Sequence, residues 1–178
     1  MVRSDARENR ARILVAAREA FTENSGASMN QVAQRAGVGA GTLYRNFPTR
    51  EALVLAVYQD EVARLTGSVS DLLAELPPLE ALRRWTLELV EAMRQKHGLG
   101  DALGAGAHQA MAERSRGPVI AALTQLLDAG KADGVIREDA DPGDFLQFTG
   151  ALWRAESGPG DRAPRMLALI LDGLRPRP

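Results

Sequence analysis

Thr42, Tyr44, Arg45 and Asn46 stand within five positions of one another, with Leu43 as the apolar residue among them. Two hydroxyls, a guanidinium fork and a carboxamide at that spacing suit a polyanion that also presents patterned edges. Hydroxyls donate to phosphate oxygens, arginine matches the acceptor pair of guanine, and asparagine matches the donor and acceptor of adenine. The chemistry they share is that of contact with duplex DNA, and it requires an element that holds these groups outward.

Segment 28–47, SMNQVAQRAGVGAGTLYRNF, has the mechanics of a helix-turn-helix. Ser28 with Gln31 three residues later forms a capping-box pattern that starts a short helix. Val32, Ala33 and Ala36 supply its inward face, and Ala33 is small where two helices must cross closely. Gly37 allows the left-handed backbone of a tight stop. Val38 and Leu43 fill the wedge, and a second short helix runs from about Ala40 to Phe47, closed by Pro48. Such a unit pushes its second helix toward a major groove, and the outward set there is Ala40, Gly41, Thr42, Tyr44, Arg45 and Asn46. Charge agrees: residues 1–50 hold eight arginines against four acids, although the whole chain carries −1.

AGVGAGTLYRNFPTREAL resembles the signature of the TetR family of bacterial transcription regulators, and the likeness extends over roughly residues 10–66. The resemblance implies an all-α protein that binds double-stranded DNA as a homodimer and responds to a small-molecule effector. It implies that Thr42, Tyr44 and Arg50 contact phosphates. Asn30 and the group Ala40, Gly41, Arg45 and Asn46 would lie against base edges, and Arg3 and Arg7 would reach the backbone or minor groove. The family often places Ser followed by Lys or Arg where this chain has Gly39 and Ala40, so fewer base-reading groups stand at the start of the second helix.

Helical periodicity dominates the rest, and about nine helices are expected, with a DNA-binding domain over 1–49 and a ligand-binding and dimerisation domain over 50–178. The first helix spans about 5–24 and ends at Asn24-Ser25-Gly26. Thr49 caps a fourth helix running toward Leu76 with a break near Gly67, and Pro77-Pro78 opens the next, which Gly98 ends. Four glycines, at 98, 100, 104 and 106, predict a broken segment over 99–115, and Pro118 suits the first turn of a new helix stopped by Gly134. Asp141 caps a helix with Pro142 at its first position, and the last helix runs from about Arg162 to Leu174.

The last helix reads as apolar on nearly all sides, which predicts burial of more than one face. With helix eight it would form a four-helix interface between two copies, through Gly150, Trp153, Met166, Leu167, Ile170, Leu171 and Leu174. Helices five to eight bring together Trp85, Leu89, Met93, His97, His108, Met111, Leu127, Phe145 and Phe148, an apolar group with few polar members that suits a small-molecule pocket. The same residues also read as plain core, and His97 also suits the C-terminal end of a helix as a cation.

Other classes fit less well. There are no cysteines and only two histidines, so neither a disulfide framework nor a zinc cage is expected, and no cofactor is implied. Ser115, His108 and Asp101 lack a strained nucleophile elbow, and Gly98-Leu99-Gly100 lacks the strand that a dinucleotide turn needs, so an enzyme is not expected. The spacing of Glu138, Asp139, Asp141 and Asp144 does not fit a calcium loop, and helix capping accounts for it. A protein-interaction adaptor on the same scaffold stays open. The charged N-terminal residues and the lack of a long apolar stretch predict a chain neither exported nor embedded, hence cytoplasmic.

Overall fold

Helical spacing of apolar residues becomes nine helices among the described residues: α1 Val2–Glu23, α2 Met29–Arg35, α3 Ala40–Asn46, α4 Arg50–Gly67, α5 Val69–Glu75, α6 Pro78–Gly98, α7 Ala105–Ala132, α8 Pro142–Leu152 and α9 Arg162–Gly173. The structure is a computed structural model that describes residues 2–98, 105–152 and 162–176, with side chains over 7–94, 111–152 and 162–176. Two compact units result. One comprises 1–61 with 95–112, and the other 62–94 with 113–178.

In the first unit α1 packs on α2 and α2 on α3. Ile13, Ala17, Val32, Leu43, Phe47 and Leu53 are buried there, the face that the helical spacing marks as inward. In the second unit Leu65, Leu82, Trp85, Leu123, Leu126, Leu127, Phe145, Leu152 and Leu167 belong to one buried cluster. Each such side chain removed from water contributes roughly 1.5–3 kcal/mol before entropy is charged against it.

Helix ends follow local chemistry. The Thr49 hydroxyl accepts from Ala52 N–H at 3.1 Å at the start of α4, and the Asp141 carboxylate accepts from Asp144 N–H at 2.9 Å at the start of α8. At the end of α7, Gly134 has φ +67°, Val135 N–H donates to Gly130 O at 2.9 Å and Gly134 N–H donates to Lys131 O at 2.9 Å. Those paired bonds are a Schellman ending, and the left-handed residue within it favours glycine. The break after Gly67 separates α4 from α5 at Ser68. There the Leu65 carbonyl accepts the Ser68 hydroxyl at 2.9 Å and the Trp85 indole N–H at 2.8 Å.

Two expectations change. Pro118 does not start a helix: α7 runs through it from Ala105 to Ala132, and residues 99–104 lie outside the described set. Gly117, with no Cβ, eases the usual clash of the residue before a proline ring, and Pro118 stands on the exposed side of α7. Nor is α9 apolar all round. Ala163, Leu167 and Leu171 are buried, whereas Arg162, Arg165, Ala168, Leu169 and Asp172 are exposed. Its apolar residues bury one stripe within the chain, and the charged ones mark the opposite stripe.

Candidate nucleic-acid interface

Local bonds hold α2 and α3 in fixed relation. Ser28 caps α2: its Oγ accepts from Gln31 N–H at 3.3 Å, and Ser28 N–H donates to Gln31 Oε1 at 2.8 Å. The turn is a second Schellman ending, with Gly37 at φ +64°, Gly37 N–H to Gln34 O at 3.1 Å and Val38 N–H to Ala33 O at 3.0 Å. α3 then starts with Thr42 and Leu43 N–H groups on the Gly39 carbonyl at 2.9 and 3.1 Å. Leu43 and Phe47, 0% and 2% exposed, anchor it, and Tyr44 beside them is 46% exposed. An Arg10 guanidinium lies 4.6 Å from the Phe47 ring centre, which adds a cation–π contact from α1 to the end of α3.

Asn30, Ala40, Gly41, Tyr44 and Arg45 are exposed, and Thr42 and Asn46 are half-buried. α3 therefore brings together the outward set read from its spacing. Arg45 Nη2 donates to Thr42 Oγ1 at 3.1 Å, so the guanidinium lies back along its own helix with donors left over. Asn46 Nδ2 donates to the Thr42 carbonyl at 2.8 Å, which engages one of its two amide hydrogens. Arg7 is exposed on α1, and the side chain of Arg3 lies outside the described set.

Arg50, expected at a phosphate, is engaged within the chain in this structure. Half-buried at the start of α4, it donates from Nη2 to Ser25 O and from Nε to Ala27 O at 3.4 Å, and its guanidinium lies 5.0 Å from the Phe21 ring centre. It ties α4 to the α1–α2 connection. The sequence reading did not identify two further ties. Arg18 on α1 meets Asp60 and Glu61 on α4 at 2.5 and 3.0 Å, and Arg35 at the end of α2 meets Glu23 at the end of α1 at 2.6 Å. The hydrogen bond from Arg35 holds the Glu23 carboxyl below its ordinary range.

In the second unit Trp85, Leu89, Leu127 and Phe145, expected around a pocket, belong to the buried cluster, and Met93 packs against it. Met111 is buried in the first unit. The side chains of His97 and His108 lie outside the described set, as does Trp153. Phe148, expected to face a pocket, is 62% exposed. It lines a surface pocket of about 540 Å³ between α8 and α9 that also takes in Asp144, Leu169, Ile170 and Leu174. Of the residues expected in a subunit interface, Leu167 and Leu171 are buried within the chain, and Met166, Ile170, Leu174 and Gly150 are half-buried. Leu169, at 74% exposure, was not among them. Arg165 and Asp172, four residues before it and three after, were the signal for its outward face.

Among the described residues no helix is long and apolar enough to cross a membrane. Residues 13–57 match the family described as bacterial regulatory proteins, tetR family, and residues 77–176 match the C-terminal domain of SbtR-like transcriptional regulators. A TetR transcriptional regulator from Streptomyces coelicolor is 46% identical, with TM-score 0.82, and the match covers 95% of this chain and 99% of that one. A TetR transcription regulatory protein from Mycobacterium vanbaalenii is 36% identical, with TM-score 0.78 and coverage of 99% and 100%. The transcriptional regulator UidR of Escherichia coli K12 is 30% identical over 126 residues, which are 68% of this chain but only 60% of that relative.

Proposed function

The chain belongs to the TetR family of bacterial transcriptional regulators, with a DNA-binding helix-turn-helix, and from that membership we propose that it is a repressor released by a small-molecule ligand. It binds a palindromic operator as a homodimer. The observation that carries the DNA-reading part is the anchoring of α3 by buried Leu43 and Phe47, which leaves Tyr44 and Arg45 on its exposed side. Tyr44 and the Thr42 hydroxyl serve phosphate oxygens, and Arg45 reads a guanine edge after exchanging its Thr42 bond for the base. Two recognition helices reach successive major grooves only when the half-sites lie about 34–36 Å apart.

Release follows from linkage. A ligand that favours a conformation with the wrong separation weakens operator binding by its differential affinity, and a coupling of about 1–3 kcal/mol gives roughly 5–150-fold. α4 is the natural lever, because one unbroken helix carries residues of both compact units.

The test is fluorescence anisotropy on duplexes selected from a random pool, across a series of salt concentrations. A steep fall of affinity with salt is expected from counterion release. Tyr44→Ala should weaken every sequence alike, whereas Arg45→Ala should relax preference by about 1–3 kcal/mol at one base position. A chain that ignores all duplexes at modest ionic strength, or an Arg45→Ala effect equal on every sequence, would overturn the corresponding assignment.

A further inference from the structure

Arg18 follows the buried Ala16 and Ala17 on α1 and reaches across to α4. Its Nη2 donates to Asp60 Oδ2 at 2.5 Å, and its Nε stands 3.0 Å from Glu61 Oε2. That Nε is screened from water and lies off the straight N–H line, so attraction between the charges holds it to Glu61. The side chains of Arg18 and Glu61 are 27% and 14% exposed. Salt screens such a pair less than it screens a fully exposed one, so the tie persists at ordinary ionic strength.

Consecutive residues on a helix point about 100° apart. One guanidinium that holds both Asp60 and Glu61 therefore resists rotation of α4 about its own axis in either sense, because each sense draws one carboxylate away. Arg50 holds the start of the same helix through the carbonyls of Ser25 and Ala27. Asp60 stands ten residues further on, about 15 Å along the axis. A rod tied at two points that far apart keeps its direction as well as its rotation. With the Arg18 tie released, a slip of about 2 Å at Asp60 swings the helix by about 8° about its Arg50 end. Since α1 packs on α2 and α2 on α3, the hold of α1 on α4 is also a hold on the recognition helix.

We propose that Arg18 is a positioning residue: its tie to Asp60 and Glu61 sets the angle at which α4 leaves the helix-turn-helix, and through it the half-site separation that the paired chain accepts. Residues 62–67 of the same helix belong to the second unit, so that angle is carried out of the DNA-reading head. The inference rests on the operator-binding homodimer reading above and adds the contact that tunes its spacing.

The test is fluorescence anisotropy of the full chain and of Arg18→Met, Glu61→Gln and the double variant. Each is titrated on the selected operator and on operators with one base pair added or removed between the half-sites. One base pair moves a half-site by about 3.4 Å and turns it by about 35°, so the natural chain should bind the altered duplexes far more weakly. In Arg18→Met and in Glu61→Gln that spacing penalty should shrink by about threefold or more, while base preference within a half-site stays as it was. Methionine keeps most of the Arg18 stem and glutamine keeps the shape of Glu61, so both variants should fold. The double variant should match Arg18→Met, because both substitutions act through one contact. A pair that only stabilises the fold would lower the melting temperature and leave the spacing penalty unchanged. That result, or additive effects in the double variant, would overturn the inference and leave the regulator standing. If the natural chain binds no duplex, or binds without regard to spacing, the operator-binding homodimer reading fails and this inference with it.

Discussion

Arg50→Met separates a structural arginine from a phosphate-binding one. The guanidinium donates to the carbonyls of Ser25 and Ala27 and lies over Phe21 with its centre 5.0 Å away. A hydrogen bond from a charged donor contributes about 1.5–3 kcal/mol, and a partly exposed cation–π contact about 0.5–1 kcal/mol. The Ala27 contact is long at 3.4 Å and the side chain is only half-buried, so the lower part of that range applies. Methionine keeps most of the stem packing, and the net loss should be about 2 kcal/mol. For a chain of this size that lowers the melting temperature by about 4–8 °C. Arg50→Lys should lose nearly as much, because an ammonium cannot reproduce the fork that reaches both carbonyls. A phosphate contact predicts a different pattern, with melting unchanged and the slope of log affinity against log salt smaller by about 1.8, which is about 0.9 for each protomer of the dimer. Differential scanning fluorimetry and anisotropy on the same preparations read both quantities. Unchanged melting with the reduced slope would refute the structural assignment.

Gly130→Ala would set a Cβ 2.4 Å from Ile136 Cδ1 and 2.7 Å from its Cγ1, so denaturant titration should show a loss of about 1–3 kcal/mol. Adding Ile136→Val should recover only part of it, because Cγ1 remains. Trp85→Phe removes the donor to the Leu65 carbonyl while Ser68 still serves that oxygen. A cost of about 1 kcal/mol is expected, against about 3–5 kcal/mol for Trp85→Ala, and equal losses for the two would argue against the bond. Because Arg35 holds the Glu23 carboxyl below its ordinary range, the Glu23 contribution is present above that range and is lost as pH falls through the lowered value. Stability measured from pH 6 downward should therefore depend less on pH in Glu23→Gln at low salt, and the difference should shrink in high salt as the exposed pair is screened.

What the sequence determined by itself was whatever depends on neighbours a few positions apart. The Ser28–Gln31 capping box, the Gly37 and Gly134 endings, the Asp141 cap and the outward placement of Tyr44 and Arg45 all rest on residues within about one helical turn or one tight turn. Their geometry is set by steric limits and hydrogen bonds that hold wherever the segment lies. Helical periodicity likewise told buried from exposed stripes wherever charged residues interrupted the pattern, as on α2 and α3.

Tertiary structure decided what depends on partners far along the chain. Arg50 meets carbonyls 23 and 25 residues away, and nothing in its neighbourhood in sequence announces those bonds. Pro118 reads as a helix start, yet α7 is continuous through it, with Val119, Leu123, Leu126 and Leu127 buried beyond it. Trp85 and Leu127 read equally well as pocket wall and as core, because apolar composition is the same for both, and only their placement makes them core. Burial is a property of the neighbours an element finds in space, and a sequence records only the neighbours it has along the chain.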